Sequence, residues 1–126
     1  MKVIIISGAQ WGDEGKGKIS CYLSQLADVC MRCGGGSNAE ATFYHQGKAW
    51  HHQMIPSGVV KGKIGIMADG VLLSCDRLML EISKLEEEFG DISDRFMISS
   101  NAHVILPFHR KKDAELDNRS EERRVG

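Results

Sequence analysis

Apolar and polar positions along the chain fall into blocks that switch between strand and helix spacing. Residues 2–7 (KVIIIS) hold β-branched residues in succession from Val3 to Ile6, which predicts a strand buried on both faces. A glycine-rich stretch follows, and from Lys16 to Ala27 the apolar residues Ile19, Leu23 and Leu26 recur at helical spacing, predicting a first helix. Residues 28–33 (DVCMRC) predict a second short strand, so residues 2–33 outline a strand–loop–helix–strand unit. Residues 34–42 form a second glycine-rich loop with a turn at Ser37-Asn38. The stretch TFYHQGKAWHHQM predicts a hairpin around Gln46-Gly47-Lys48. Ile55 to Gly58 (IPSG) is a turn signal, and KIGIMADG predicts a strand ending at Asp69-Gly70.

Leu78, Ile82, Leu85 and Phe89 then make one apolar stripe, with Glu86, Glu87 and Glu88 toward solvent and Gly90 as a stop, predicting a second helix. Residues 95–99 and 103–108 predict two more short strands, with Pro107 at an end. The charged stretch 110–126 predicts an exposed helix, or a segment whose packing partner lies elsewhere. Strands alternating with helices give an α/β class: a mostly parallel sheet with a P-loop-like strand–loop–helix and an inserted β-hairpin. Residues 1–126 are expected to form one unit with no internal boundary.

Composition adds limits. A chain of 126 residues, 42% apolar and 26% charged, suits one domain with a modest core. Its net charge of −1 supplies no global field for nucleic acid or an anionic membrane, so neither is expected as a partner. No apolar run approaches the ~18 residues that span a bilayer, and the N-terminal run is too short for a secretory signal. A cytoplasmic protein is expected. Cys30 and Cys33 make a CxxC, with Cys21, Cys75, His45, His51 and His52 as further candidate ligands. The spacing is poor for zinc, because residues three apart on a strand face opposite ways and no second knuckle follows. Reduced, partly buried thiols are expected instead.

The candidate chemistry lies in GAQWGDEGKGK, residues 8–18. Gly12 to Lys18 fit G-x-x-x-x-G-K between a predicted strand and a predicted helix. Glycines there let backbone N–H groups turn toward an anion, and the helix that follows adds its dipole. Lys16 and Lys18 can neutralise β- and γ-phosphate charge. Ile19 stands where the motif needs a hydroxyl for magnesium, and the Asp13 carboxylate, a hard oxygen ligand, can replace it. The plainer alternative is a glycine turn with solvated lysines; the flanking elements favour a phosphate site.

The string QWGDEGKGK also resembles the N-terminal signature of the adenylosuccinate synthetases. Later segments keep the family's order: GGSNAEAT resembles its G-G-x-N-A-G-H-T loop, IPSG matches outright, and ADGVLLSCDRLMLEI resembles its GNGVV strand and following helix. The resemblance covers essentially all 126 residues. It implies a ligase of purine nucleotide biosynthesis that joins IMP and L-aspartate to adenylosuccinate using GTP, with one Mg²⁺ per subunit, as a homodimer. It implies catalytic roles for Asp13, as acceptor of the N1 proton of IMP, and for Lys16. Contacts to GTP fall to Gly12, Asp13, Glu14, Gly15, Lys16, Gly17, Lys18, Glu40, Ala41 and Thr42. Contacts to IMP fall to Asp13, Glu14, Gly15, Lys16, Asn38, Ala39, Glu40 and Ala41. Metal ligation falls to the Asp13 carboxylate and the Glu40 backbone carbonyl.

The chain departs from the family pattern at two adjacent residues. Ala41 stands where the family has a histidine that donates to the leaving phosphate, and losing a positioned acid costs ~10²–10⁴ in rate. Glu40 stands in place of a glycine and brings a carboxylate near the phosphates. His45, His51 and His52 are read as exposed or packed hairpin histidines. Family members are several times longer, so the chain is read as their N-terminal part. Two alternatives remain: a viral-type relative acting on dGMP, and a non-catalytic nucleotide-binding fragment.

Overall fold

The computed structural model describes residues 2–10, 12, 14–37 and 40–124, with side chains as far as residue 116. Parallel strands β1 (Val29–Arg32), β4 (Ile64–Met67) and β6 (Phe96–Ile98) pair side by side in that order. Val29 lies opposite Ile64, and Ile66 opposite Met97. Past the Asp69-Gly70 turn, Gly35 bridges Val71, and β5 (Leu72–Leu73) pairs in parallel with β7 (His103–Val104). Gly70 is required at that turn, because a β-carbon on it would meet the Cys33 carbonyl oxygen at 2.3 Å.

The inserted hairpin is β2 (Ala41–His45) and β3 (Lys48–His52). Its turn is the pair Gln46-Gly47, at φ 49° and 80°, the primed geometry whose twist suits a two-residue hairpin; Lys48 already belongs to β3. Helix α2 (Cys75–Phe89) buries Leu78 and Leu85, packs Ile82 and Phe89 against the same core, and stops at Gly90, φ 73°. The Phe89 ring meets His45, Trp50 and Phe43 at centroid distances of 4.9, 5.3 and 6.5 Å, which seats the hairpin on the C-terminal end of α2. Met54, Ile55, Val59, Met67 and Val71 are fully buried in this core.

Three expectations need correction. Residues 2–7 are not a strand: they pair with none of the described strands, and Ile5 is 85% exposed. An apolar β-branched run states what it could bury, but a strand also needs a neighbour to take its N–H and C=O groups. Helix α1 (Lys16–Leu23), continued by a 3-10 turn at Ser24–Leu26, does not bury the stripe read from the sequence. Ile19 and Leu26 face solvent, while Cys21 and Ser24 are buried. The reason is distance: a β-carbon on Gly17 would lie 2.4 Å from that of Ala41, and one on Gly58 would lie 3.4 Å from that of Ser24. Only small side chains fit so close an approach. Finally, Pro107 does not end a strand but opens α3 (Pro107–Arg124), where its missing N–H costs nothing. The charged tail is otherwise helical and, to residue 116, exposed, as read.

Arg110 holds α3 to the start of α2. Its guanidinium grips both Asp76 carboxylate oxygens, at 3.0 and 3.1 Å, and donates to the buried Ser74 hydroxyl. That contact, helped by Ser74, lowers the Asp76 carboxyl to about 2.

Candidate nucleotide-binding site

The glycine–lysine loop leads directly into α1. Gly15 takes a left-handed conformation, φ 80°, and its carbonyl accepts the first helical bond, from Ile19 N–H at 3.1 Å. Among the described residues no side chain caps the helix, an arrangement in which the first N–H groups suit an anion. Upstream, the loop closes around Glu14. One carboxylate oxygen accepts from the N–H groups of Gln10 and Gly12, at 3.1 and 3.3 Å, and the other receives the Lys16 ammonium. The hydrogen bond from Lys16, with help from the backbone N–H groups, holds this carboxyl down to about 2. A side-chain carboxylate thus occupies donors of the kind that a phosphate would use. Lys18 lies over the Tyr44 ring, 5.4 Å from its centroid.

Gly17 and Ala41 bring the second loop to this helix end. That loop is tied down by two arginines that the sequence reading did not single out. Arg32 donates to the carbonyls of Gly34 and Gly36, at 3.2 and 3.4 Å, and to that of Gln53. Arg77 donates to the Ser37 carbonyl at 3.0 Å. An arginine inside a short apolar strand was the available signal for Arg32. Glu40 at the end of the loop does not point free: His51 Nδ1 lies 2.7 Å from its carboxylate and 3.1 Å from the Thr42 hydroxyl. Glu40 and His51 also border an open cavity of about 280 Å³, with Gln53, Arg77, Leu80, Glu81 and Lys84.

Under the hairpin, the buried Glu81 carboxylate accepts from the N–H groups of Met54 and Ile55, each at 3.0 Å at its shorter contact. Burial raises its carboxyl, against the pull of those N–H groups and of Arg32. Its spacing places Glu81 on the same stripe as Leu78 and Leu85, a signal that the reading passed over. His52 is buried too, with Nδ1 2.6 Å from the Ile55 carbonyl. Burial pushes its imidazole down to about 4. The cysteines are free, with Cys21 buried and Cys33 and Cys75 exposed. No helix among the described residues is long and apolar enough to cross a membrane.

The structure therefore sets Gly17 of the first loop against Ala41 of the second, with Gly12, Glu14, Gly15, Lys16 and Lys18 flanking the one and Glu40 and Thr42 the other along the chain. Asp13, Asn38 and Ala39 lie outside the described residues.

The family model described as adenylosuccinate synthetase matches residues 5–126. The adenylosuccinate synthetase of Heliobacterium modesticaldum is 44% identical over the whole of this chain and 30% of its own length. That of Finegoldia magna is 38% identical over 94% of this chain and 28% of its own. Among solved structures, fully ligated adenylosuccinate synthetase from Plasmodium falciparum superposes with a TM-score of 0.85 at 33% identity, covering 92% of this chain and 27% of that one. The cyanophage S-2L succinoaminodeoxyadenylate synthetase, bound to dGMP and to dATP as energy donor, gives 0.64 at 28% identity over 84% of this chain and 30% of that one. The chain thus spans about 30% of the length of such relatives. With a match from residue 5 to its last residue, the chain belongs to the adenylosuccinate synthetase family.

Proposed function

We propose that these 126 residues are the nucleotide-gripping N-terminal part of a GTP-dependent ligase that joins IMP and L-aspartate to adenylosuccinate. The observation that carries this reading is the loop itself: a glycine-turned entry into a helix that no described side chain caps, with Lys16 and Lys18 in its first turn, in a chain of this family. Gly12 to Lys18, with Glu40, Ala41 and Thr42, line the GTP phosphates. Asp13 to Lys16, with Asn38 to Ala41, face IMP. Lys16 leaves Glu14 for a phosphoryl oxygen and stabilises charge there as transfer proceeds. Asp13 accepts the N1 proton of IMP, which makes O6 the nucleophile toward the γ-phosphate; GDP leaves, and the amine of L-aspartate then displaces phosphate from C6 of the phosphorylated base. Ala41 has no proton to give the leaving phosphate, so turnover is slow for the family.

Among the described residues no group of three or more His, Cys, Asp or Glu side chains could hold a metal. A donor set of the Asp13 carboxylate and the Glu40 carbonyl nevertheless fits Mg²⁺, a hard ion that takes few protein oxygens and shares the rest with phosphates and water. Bound there, it would draw charge from the phosphoryl oxygens. A homodimer in the cytoplasm, acting as one unit over residues 1–126, completes the proposal.

A second reading, amination of dGMP, is favoured by the likeness to the cyanophage enzyme solved with that nucleotide. One assay separates the two. Residues 1–126 are joined to the remainder of the Heliobacterium modesticaldum relative and supplied with GTP, Mg²⁺, L-aspartate and IMP or dGMP. Adenylosuccinate formation from IMP, lost in Asp13→Ala, is expected. Turnover of dGMP alone would favour the second reading, and no turnover above the Asp13→Ala control would overturn both.

A further inference from the structure

Glu14 and Lys16 neutralise one another across the loop. Lys18 is the next cation along, above Tyr44. The second loop brings Glu40, one residue before Ala41, whose β-carbon lies against the backbone of Gly17 in the first turn of the helix. A carboxylate swinging freely there would meet the positive end of the helix dipole, compete for its N–H groups, and repel an incoming phosphate.

His51 is placed to hold this carboxylate. It lies opposite Thr42 in the antiparallel pair, so both side chains share one face of the hairpin. From there Nδ1 reaches the Glu40 carboxylate at 2.7 Å and the Thr42 hydroxyl at 3.1 Å. The contact needs no charge on the ring, since a neutral imidazole with its proton on Nδ1 donates to a carboxylate. Building on the nucleotide-binding reading above, we propose that His51 is a positioning residue that clamps the Glu40 carboxylate aside and so keeps the end of α1 receptive to a nucleotide triphosphate. Its cost to the fold is small, because all three side chains sit at the hairpin surface or close to it.

Titration calorimetry of the 126-residue chain with GTP–Mg²⁺, alongside thermal melting, tests the clamp. His51→Ala weakens binding about fivefold, the scale of one exposed charge contact. Adding Glu40→Gln to that variant recovers the loss, since no carboxylate is left to restrain. His51→Asn, which keeps a donor near the place of Nδ1, retains most of the affinity. A histidine that merely supports the hairpin would instead lower the melting temperature and the affinity in the single and double variants alike, and that result overturns the clamp. So does a His51→Ala chain that binds as tightly as the parent; nucleotide binding itself then stands. A parent chain that binds no GTP–Mg²⁺ overturns the nucleotide-binding reading and the clamp together.

Discussion

His52 shows how a single buried side chain makes stability depend on pH. Its imidazole is pushed from 6.5 to about 4, by burial first and by the Arg32 charge, against the pull of the Ile55 carbonyl. As pH falls below 6.5 the unfolded chain takes a proton that the folded chain refuses. Stability present above pH 6.5 is therefore lost toward pH 4, by about 2 kcal/mol between pH 7 and pH 5. Urea denaturation at those two pH values checks this, and His52→Gln removes that component of the slope. Glu81, whose carboxyl is raised, contributes the opposite sign: stability present below its ordinary value of 4.5 and lost as pH rises through its folded value. At this scale the legible residues were local ones. Glycines and lysines at fixed spacing announce a phosphate loop because one stretch of backbone makes it. Glu81 and His51 take their meaning from partners far away along the chain or across a hairpin, and neither residue type alone names such a partner.

Among elements, the hairpin and α2 were readable for the same reason. Gln46-Gly47 supplies the turn, and a stripe at helical spacing supplies the buried face. The stripe of α1 misled because helix packing there is governed by how closely the backbones of Gly17 and Ala41 approach, which favours small residues over large apolar ones. Likewise, residues 2–7 have the composition of a strand but pair with none of the described strands. For α3 the decisive feature is a contact that periodicity does not encode, the Arg110 fork on Asp76. Arg110→Ala is expected to release the first turns of α3 from α2. Amide exchange would quicken across residues 107–112 while α2 keeps its protection; unchanged protection in both helices would show that the fork does not hold them.

Taken whole, the molecule is a small core with one uncovered sheet face. Val29, Met31, Ile64 and Met97 share that face, and Met31 is 56% exposed, although parallel sheets ordinarily bury both sides. The fold class was legible because strand and helix patterns alternate, whereas the coverage of each sheet face depends on packing that no local pattern states. The candidate site lies on the opposite account of the same chain: two loops, distant in sequence, meet at one end of α1 because Gly17 and Ala41 touch. The most direct test is whether this meeting point holds a nucleotide. Calorimetry with GTP–Mg²⁺ on the 126-residue chain should give saturable binding at one site, at least tenfold weaker in Lys18→Ala. No binding by the parent chain, or equal affinity in Lys18→Ala, would contradict the account.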